Sequence, residues 1–491
     1  MHIAFVASEC VPFAKTGGLA DVVGALPKAL ANLGHQVSVY IPRYRANRPK
    51  DAQTVVRSIT VPFDDQYRFC SVVTGENTAG VRYYFVDYPA YFEREGLYGT
   101  PVSDYSDNAE RFALFCRSVI EASKILGVPH VFHCHDWQSA LVPVLLRTIY
   151  AQDPAFREVA TLFTVHNIGY QGIFPPEILP LLMLPWDLFT IARLEFFGQV
   201  NFLKGALVMA DMLTTVSRKY AQEIQTAEYG FGLEGVLRGR ASVLTGILNG
   251  VDYDDWNPQT DRHIAAQYSA QDLSGKAKCK QDLLAEFGIT NVATKLPVIG
   301  IVSRFAGQKG FDLIAQIMDR LAREEMIMVV LGSGDAAYED LFRRLQKQFP
   351  HKIAVKIAYD NKLAHKIEAG ADMFLMPSHY EPCGLNQIYS LKYGTVPIVR
   401  ATGGLDDTIE PWNARTAKGT GFKFLEYTGE ALLLTIKHAL ADFRDQSSWQ
   451  VLMRNGMGKD FSWASSAREY GRVYERVRQV RAAAIAEPIR V

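Results

Sequence analysis

Residues 297–310 read PVIGIVSRFAGQKG, and this stretch decides the expected fold. An apolar run of β type leads into a loop that carries Arg304 and Lys309, and a helix-like segment follows. Residues 2–18, HIAFVASECVPFAKTGG, repeat the arrangement, with Lys15 just before two glycines. A cation beside glycine, between a strand and a helix, is typical of anion binding. Two such units indicate two α/β lobes that bind an anion. A third loop, SHYEPCGL at 378–385, carries a carboxylate that suits a neutral hydroxylated group. Together the three loops indicate a sugar phosphate or a nucleotide sugar.

Short apolar runs that end in turn residues alternate with amphipathic stretches along most of the chain. This alternation is typical of parallel sheets with helices on both faces. In such sheets ligands bind beyond the carboxyl ends of the strands, so we expect a site in the cleft between two doubly wound α/β domains. The runs that carry the pattern are residues 37–41, 128–133, 160–165, 298–302, 327–331, 373–376 and 396–399.

Composition limits the classes of function. The chain has 491 residues, more than a single hydrophobic core usually supports, so two domains are expected. Its 52 Lys and Arg residues balance 52 Asp and Glu residues, which gives no overall attraction to nucleic acid or to an anionic membrane. No apolar stretch reaches transmembrane length, and the 6 cysteines include no Cys-x-x-Cys pair. A cytoplasmic protein with reduced thiols is expected.

The alternation of runs stops near the middle of the chain, after an Asn-Gly pair, and restarts at residue 297. The boundary between the domains is therefore expected near residues 249–260. A final stretch with apolar residues at helical spacing is expected to pack as a closing helix. We assign residues 1–250 to an N-terminal domain, 251–464 to a C-terminal domain and 465–491 to the closing helix.

The loop before the first helix offers backbone groups to an anion. Gly17 and Gly18 precede an apolar helix-like segment, so N–H groups at the helix start are expected to bind a phosphate or a sugar oxygen, with Lys15 adding charge. A flexible turn is the simpler interpretation. The pattern is neither Gly-x-Gly-x-x-Gly nor Gly-x-x-x-x-Gly-Lys-Ser/Thr, which argues against a dinucleotide dehydrogenase and a P-loop NTPase.

Arg304 and Lys309 share the loop after the first strand of the second domain. One rigid guanidinium fork and one ammonium suit a diphosphate, and a solvated loop is the alternative. If the pair stabilises a departing phosphate in a dry cleft, removing one cation is expected to cost on the order of 3 kcal/mol of transition-state stabilisation.

Another group of polar residues follows the run at 128–133. His133 and His135 have a spacing found in metal sites, but no second cluster completes such a site, so a metal is not expected. Asp136 and Trp137 suit the wall of a sugar site instead, because carboxylates and aromatic faces are the groups that bind sugars.

Two further loops carry side chains that suit a hydroxylated ligand. His166 ends the run at 160–165, where its ring can reach a hydroxyl; a core histidine is the simpler interpretation. Glu381 opens the segment EPCGL, which is expected to begin a helix, so that its carboxylate lies beside the N–H groups of Cys383 and Gly384. Simple helix capping is the alternative.

Six short motifs, in this order, closely resemble those of bacterial glycogen synthases and plant starch synthases. The resemblance runs almost end to end, and the combination is highly specific although each motif is modest. It implies a GT-B fold, in which two Rossmann-like domains face each other across a deep cleft and the closing helix returns to the first. The motifs are KTGGLADV at 15–22, HDW at 135–137, TVHN at 164–167, NGVD at 249–252, SR and QKG at 303–304 and 308–310, and EPCGL at 381–385.

The resemblance implies an enzyme that moves glucose from ADP-glucose to the 4-hydroxyl at the non-reducing end of an α-1,4-glucan, with retention of configuration. The product would be glycogen or a starch-like polymer. The N-terminal domain would bind the acceptor and the C-terminal domain the donor. The expected partners are ADP-glucose and the glucan, without nucleic acid, membrane, metal or cofactor.

By the same resemblance, residues at matching positions receive roles. Catalytic roles fall to Glu381, His166, Arg304, Lys309 and Lys15. Acceptor binding falls to Tyr98, Asp136 and Trp137. Donor binding falls to Lys15, Gly17, Gly18, Asp21, Asn249, Arg304, Lys309, Tyr359, Cys383, Gly384 and Leu385, with Tyr359 facing adenine.

The sequence departs from the wider superfamily at one position. Related proteins often carry Glu-x7-Glu, but the position eight after Glu381 is Tyr389, so ribose must be bound by other groups. We expect Glu381 to orient the sugar and to stabilise positive charge near the anomeric carbon. The alternatives are a phosphorylase, which needs a Schiff-base lysine for pyridoxal phosphate, and a non-catalytic glucan-binding protein on the same fold.

Overall fold

Two units make up the part of the chain that the structure describes. The computed structural model describes residues 1–45, 49, 51–63, 66–75, 77–100, 102–289 and 295–486. Residues 487–491, the end of the expected closing helix, lie outside the described residues. The first unit comprises Met1–Val216, Ala221–Gly250 and Trp463–Val491, and the second comprises Ser217–Tyr220 and Val251–Ser462.

The described part of the first unit contains one large and one small sheet. Its strands are β1 (His2–Val6), β2 (Gln36–Pro42), β3 (Gln53–Phe63), β4 (Gln66–Thr74), β5 (Val81–Asp87), β6 (Val131–His135), β7 (Ala160–Val165), β8 (Ile173–Phe174), β9 (Glu195–Phe196), β10 (Gln199–Asn201), β11 (Met212–Thr215) and β12 (Leu244–Gly246). The described strands of the large sheet have the order β12-β11-β7-β6-β1-β2-β5-β4-β3. Pairing is parallel from β12 to β5 and antiparallel at β4 and β3.

The second unit contains one sheet, and every strand pair in its described part is parallel. Its strands are β13 (Val298–Val302), β14 (Ile327–Gly332), β15 (Ile353–Ile357), β16 (Met373–Met376), β17 (Val396–Arg400) and β18 (Phe422–Phe424). They have the order β15-β14-β13-β16-β17-β18.

Helices connect most neighbouring parallel strands, as right-handed crossovers require. They are α1 (Gly18–Asn32), α2 (Pro89–Phe92), α3 (Asn108–Leu126), α4 (Asp136–Ser139), α5 (Leu141–Arg147), α6 (Ile178–Leu181), α7 (Phe202–Met209), α8 (Arg218–Glu223), α9 (Glu234–Gly239), α10 (Ser274–Glu286), α11 (Phe311–Leu321), α12 (Ala336–Gln348), α13 (Asn361–Gly370), α14 (Asn386–Lys392), α15 (Gly403–Thr408), α16 (Gly429–Phe443), α17 (Gln446–Met457) and α18 (Trp463–Ala486).

Alternate residues of β14 show that the second sheet is covered on both faces. Met328 and Val330 belong to one buried cluster, whereas Val329 and Leu331 belong to another. Successive side chains of a strand point to opposite faces, so each face has its own core. A strand buried on both sides reads as a continuous apolar run, which is why the sequence pattern located it. The prediction of doubly wound α/β units is confirmed.

The last helix, α18, packs within the first unit. Tyr470, Tyr474 and Val477 are fully buried in the cluster that also holds the first strand. The Tyr474 hydroxyl lies 2.7 Å from Nδ1 of His133, and the Ser466 hydroxyl donates to the carbonyl of Leu248 at 2.7 Å. The apolar spacing of the final stretch thus corresponds to a buried helix face.

Two parts of the first unit were not predicted from the sequence. The strands β3 and β4 form a hairpin at the sheet edge, and β8, β9 and β10 form the small antiparallel sheet. Only two residues separate β3 from β4 and β9 from β10, so these pairs lack the alternation of strand and helix, and β8 is only two residues long. A search of the described helices finds none that is both long and apolar enough to cross a membrane.

Candidate active site

The loop after β1 is held by a carboxylate that the sequence analysis missed. Glu9 is only 4% exposed, and its Oε2 accepts the N–H groups of Thr16 at 2.6 Å and Gly17 at 3.1 Å. Its Oε1 accepts the hydroxyls of Thr16 at 2.5 Å and Tyr98 at 2.6 Å. Tyr98, assigned to the acceptor, therefore also fixes this loop, and its hydroxyl has a second contact with Ser8 at 2.7 Å. The sequence signal for this role was a glutamate, Glu9, three residues after the apolar strand β1.

These contacts correct the expectation for Gly17. Its N–H is occupied by Glu9, so it cannot also donate to a ligand. Gly18 is the first residue of α1, and no side chain caps that helix end. Its N–H has no partner within the helix and lies at the positive end of the helix dipole. A Cβ added at either glycine would meet nothing within 4 Å, so the loop surface is open.

Lys15 and Asp21 form an exposed ion pair, with Nζ 2.7 Å from Oδ1. Exposed pairs of this kind contribute little to stability and break at little cost. Lys15 is therefore able to leave Asp21 for a stronger anion. The structure brings Lys15, Gly18 and Asp21 together at the start of α1. From the sequence, only their shared motif had indicated that they act together.

The residues that follow β6 and β7 meet because these strands are neighbours. His135 and His166 lie with Nδ1 of the first 3.0 Å from Nε2 of the second. Asp136 adopts a positive φ of 55° and accepts the N–H of His166 through Oδ1 at 2.7 Å. Burial lowers the pKa of His166 to about 3, which keeps its ring neutral at physiological pH. A neutral imidazole has one donor nitrogen and one acceptor nitrogen.

The Asp136 carboxyl has an unusual titration. Burial raises its pKa from 3.8 to about 7, although the N–H groups of His166 and Asn167 act in the opposite direction, and the negative charge of Glu9 raises it further. The folded state therefore binds a proton that the unfolded state releases between about pH 4 and pH 7. Over that range, this carboxyl makes folding less favourable as the pH rises.

Asp136→Asn is expected to remove this loss of stability. The free energy of unfolding of the variant should rise relative to the parent protein as the pH increases from 4 to 7, and the difference should stay constant above 7. The upper limit is about 4 kcal/mol for a shift of this size. Asparagine tolerates the positive φ and keeps one oxygen to accept the His166 N–H. Thermal or urea unfolding across this pH range provides the measurement.

Asp104→Asn is the matched control, because the side chain of Asp104 is exposed on the same unit. The difference in free energy of unfolding between Asp104→Asn and the parent protein should not change with pH. A difference for Asp136→Asn that is also independent of pH would show that the Asp136 carboxyl titrates normally.

Trp137 lies among aromatic rings of the first unit. Its ring centroid is 5.1 Å from that of Phe112, which in turn lies 6.0 Å from the ring of Tyr98. A Cβ added to Gly172, at φ 63°, would overlap the indole. The structure thus brings two of the residues assigned to the acceptor, Tyr98 and Trp137, beside one phenylalanine.

Asn249 follows β12 and is 6% exposed. Its Oδ1 has no hydrogen-bond partner among the described residues. A buried amide oxygen without a partner costs free energy, and such atoms are often completed by a ligand. This observation is consistent with the sugar-binding role that the resemblance implied.

In the second unit, β13 and β16 are neighbours, so the loops that follow them meet. The Lys309 ammonium lies 2.6 Å from Oε2 of Glu381, and the Ser378 hydroxyl donates to the same oxygen at 3.1 Å. Glu381 is 6% exposed. Its other oxygen, Oε1, has no partner in the described part of the chain. Arg304 is exposed, and its guanidinium forms no hydrogen bond or ion pair with another described residue.

Glycine allows the two loops to pack closely. Gly310 has φ 73°, and a Cβ there would overlap the carbonyl oxygen of Pro377. The Gln308 carbonyl accepts the His379 N–H at 2.8 Å, and its side-chain amide donates to the Tyr380 carbonyl at 3.0 Å. The glycine after Lys309 is therefore required for the approach of Lys309 to Glu381.

The expectation that a helix begins at Glu381 is wrong. The helix α14 begins at Asn386, and Leu385 is the residue before it. Glu381 and Cys383 lie in a turn instead, where Gly384 has φ 68°. The turn exists because the Gly404 N–H donates to the Glu381 carbonyl at 3.1 Å, a long-range contact that local sequence does not encode. Glu381 is held by Lys309 and Ser378, not by a helix end.

Two tyrosines stand at the positions that the resemblance relates to the adenine and the ribose of the donor. Tyr359, two residues after β15, is 83% exposed. Tyr389 stacks on Trp256 with ring centroids 3.9 Å apart and planes 5° apart, and His365 stacks on the other face of Trp256 at 3.7 Å. Tyr389 therefore replaces the second superfamily carboxylate with a packing residue.

Both ring nitrogens of His133 are used within the protein. His133 uses Nδ1 with Tyr474 and Nε2 with Thr164, at 2.7 and 2.6 Å. Across the described residues, no three His, Cys, Asp or Glu side chains are grouped so that they could bind a metal ion.

Comparisons with known proteins place this arrangement in context. Residues 2–239 match the family model described as starch synthase catalytic domain, and residues 285–450 match glycosyl transferases group 1. The glycogen synthase of Koribacter versatilis (strain Ellin345) is 72% identical over 482 residues, 98% of this chain and 99% of that protein. The glycogen synthase of Anaeromyxobacter sp. (strain Fw109-5) is 48% identical over 476 residues, 96% of this chain and 99% of that protein. The catalytic domain of starch synthase IV from Arabidopsis thaliana, bound to ADP and acarbose, aligns with a TM-score of 0.89 and 33% identity, over 97% of this chain and 99% of that chain.

Proposed function

This chain belongs to the glycogen synthase family of glucosyltransferases, and we propose that ADP-glucose is its donor and the non-reducing 4-hydroxyl of an α-1,4-glucan its acceptor. The enzyme transfers glucosyl units in the elongation of glycogen or starch, and its fold is GT-B. We further propose that the anomeric configuration is retained. The solved relative bound to ADP and acarbose supports this choice of donor and acceptor.

The Glu381 carboxylate is the observation that carries the proposal. Oε2 is fixed by Lys309 and Ser378, whereas Oε1 is left without a partner among the described residues. A fixed carboxylate with one available oxygen suits a sugar hydroxyl in the ground state. It also suits the positive charge that develops near the anomeric carbon as the donor bond breaks.

Two cations would stabilise the opposite charge. Arg304 and Lys309 would bind the diphosphate and stabilise ADP as it leaves, because negative charge on the departing oxygen grows in the transition state. Lys309 would then lie between the Glu381 carboxylate and the departing diphosphate, so that one ammonium would interact with groups on both sides of the breaking bond. The C1–O bond to phosphate breaks, the C1–O4 bond forms, and the departing phosphate accepts the proton of the 4-hydroxyl.

Residues of the first unit would complete donor and acceptor binding. We assign phosphate contacts to Lys15 and the Gly18 N–H, with Asp21 holding Lys15 until the donor arrives. Glucosyl hydroxyls would be bound by His166, Asn249 and the turn at Cys383, Gly384 and Leu385. Tyr359 would contact adenine. The acceptor would be bound by Tyr98, Asp136 and Trp137.

We propose that the reaction needs no metal or other cofactor, because Arg304 and Lys309 supply the positive charge that a diphosphate requires. We also place the reaction in the cytoplasm. A phosphorylase is disfavoured by membership of this family. The alternative of a non-catalytic glucan-binding protein is not favoured either, since each charged position that the resemblance requires is filled.

The rate of nucleotide release tests the proposal. The initial rate should be measured with ADP-glucose and with UDP-glucose, each with and without glycogen, using Glu381→Ala as the blank. We expect ADP release that depends on glycogen and is lost in the variant. Nucleotide release from UDP-glucose but not from ADP-glucose would identify UDP-glucose as the donor. Glycogen binding without release from either donor would favour the binding-protein alternative.

A further inference from the structure

His135 is a fully buried histidine with no role in the reaction described above. It ends β6, and its ring stacks on Phe5 with centroids 5.3 Å apart and planes 17° apart. His133 lies on another side, with ring centroids 4.1 Å apart. Packing on these rings fixes the plane of the imidazole, so the directions of its two nitrogens are fixed as well.

The two nitrogens of His135 have different surroundings. Nδ1 lies 3.0 Å from Nε2 of His166, whereas Nε2 is buried and has no hydrogen-bond partner among the described residues. Burial, together with the neighbouring His133 and His166, lowers the pKa of His135 well below its usual value. Burial also lowers the pKa of His166 to about 3. Both rings are therefore neutral at physiological pH, and each carries one N–H.

A hydrogen bond between two neutral imidazoles has two possible directions. If His166 donated through Nε2, His135 would carry its proton on Nε2, where a buried N–H would face no acceptor. If His135 donates through Nδ1, its Nε2 is a bare lone pair. Buried N–H groups without an acceptor are rarer in proteins than buried acceptors without a donor. The second direction therefore fits the surroundings of His135.

We propose that His135 is a positioning residue that donates Nδ1–H to Nε2 of His166 and so holds His166 as the Nδ1–H tautomer. Nδ1 of His166 forms no hydrogen bond with another described residue, and His166 as a residue is half-buried. His166 then presents a hydrogen-bond donor, rather than an acceptor, to a hydroxyl of the glucosyl unit. The catalytic meaning of this tautomer rests on the proposed function, in which His166 contacts that unit.

Nuclear magnetic resonance of protein labelled with ¹⁵N-histidine tests the tautomer directly. A long-range ¹H–¹⁵N correlation spectrum distinguishes protonated from unprotonated ring nitrogens, and a His166→Gln variant identifies the His166 signals. We expect Nδ1 of His166 to be protonated and Nε2 to be unprotonated. A protonated Nε2 in the parent protein would overturn the proposal. This readout does not depend on activity, so it remains decisive even if ADP-glucose is not the donor.

Two variants of His135 test the positioning role. Asn places an amide N–H near the position of Nδ1, whereas Leu removes the donor and keeps the apolar volume. We expect His135→Leu to lose the single tautomer of His166 and to lower kcat about tenfold, with His135→Asn retaining both to within about threefold. An unchanged His166 tautomer in His135→Leu would overturn the proposal. If the Leu variant does not fold, the parent spectrum and the Asn variant decide.

Discussion

Replacing Glu381 by glutamine is expected to lower kcat about 10²- to 10³-fold and to change the KM for ADP-glucose much less, a loss of about 3–4 kcal/mol in transition-state stabilisation. Glutamine keeps the shape of the side chain but removes its charge. The Lys309 ammonium, 2.6 Å away, and the positive charge near the anomeric carbon both lose their anionic partner. Because that positive charge exists only as the donor bond breaks, the loss acts on the transition state.

Steady-state kinetics of nucleotide release provide the measurement, with glycogen in excess and ADP-glucose varied. Glu426→Gln is the matched control, since Glu426 is exposed on the same unit and its side chain forms no hydrogen bond or ion pair with another described residue. It should behave like the parent protein. Near-full turnover in Glu381→Gln would remove Glu381 from the reaction. A rise in the KM for ADP-glucose with an unchanged kcat would show that Glu381 acts only in binding the donor.

The strand pattern made much of the fold predictable. Central strands such as β13 and β14 are buried on both faces, so their apolar runs are visible in the sequence without knowledge of their partners. Parallel strands also order the site, because the loop after each strand lies at the same edge of its sheet. For this reason Arg304 and Lys309 after β13 could be grouped with Glu381 after β16.

Contacts between distant residues were not predictable in the same way. Glu9 binds Thr16, Gly17 and Tyr98, and the Tyr98 contact joins residues far apart in the chain. Nothing in the spacing of Tyr98 indicates that its hydroxyl would be used inside the protein. The turn at Glu381 likewise depends on Gly404, so local helix signals gave the wrong helix start.

The protonation of the site also lies beyond the sequence. Asp136 and His166 have ordinary pKa values in an unfolded chain. In the folded protein, burial is the largest cause that raises the pKa of Asp136 to about 7 and lowers that of His166 to about 3. The sequence identified both as site residues but could not state their charge. Only the packing of the two strand ends shows that the His166 ring is uncharged at physiological pH and that the Asp136 carboxyl has a pKa of about 7.

Arg304→Ala is expected to lower kcat/KM for ADP-glucose by on the order of 10²-fold, about 3 kcal/mol. Arg304 is exposed and its guanidinium forms no hydrogen bond or ion pair with another described residue, so the free energy of unfolding should change by less than about 0.5 kcal/mol. A large loss of activity with unchanged stability would therefore come from the ligand and not from the fold. Arg304→Lys should recover only part of the activity, because an ammonium cannot form the two parallel hydrogen bonds that a guanidinium offers to phosphate oxygens.

The decisive comparison is between Arg304→Ala and Arg415→Ala. Arg415 is also exposed on the second unit, and its side chain forms no hydrogen bond or ion pair with another described residue, so the two substitutions remove the same charge from the same unit. A general effect of charge on attraction of the donor would lower kcat/KM similarly in both and would be screened by salt. A diphosphate site requires the loss to be confined to Arg304→Ala and to be accompanied by weaker inhibition by ADP. If Arg304→Ala keeps the parent kcat/KM, Arg304 belongs to a solvated loop, and the phosphate site must be sought around Lys309 and Lys15 alone.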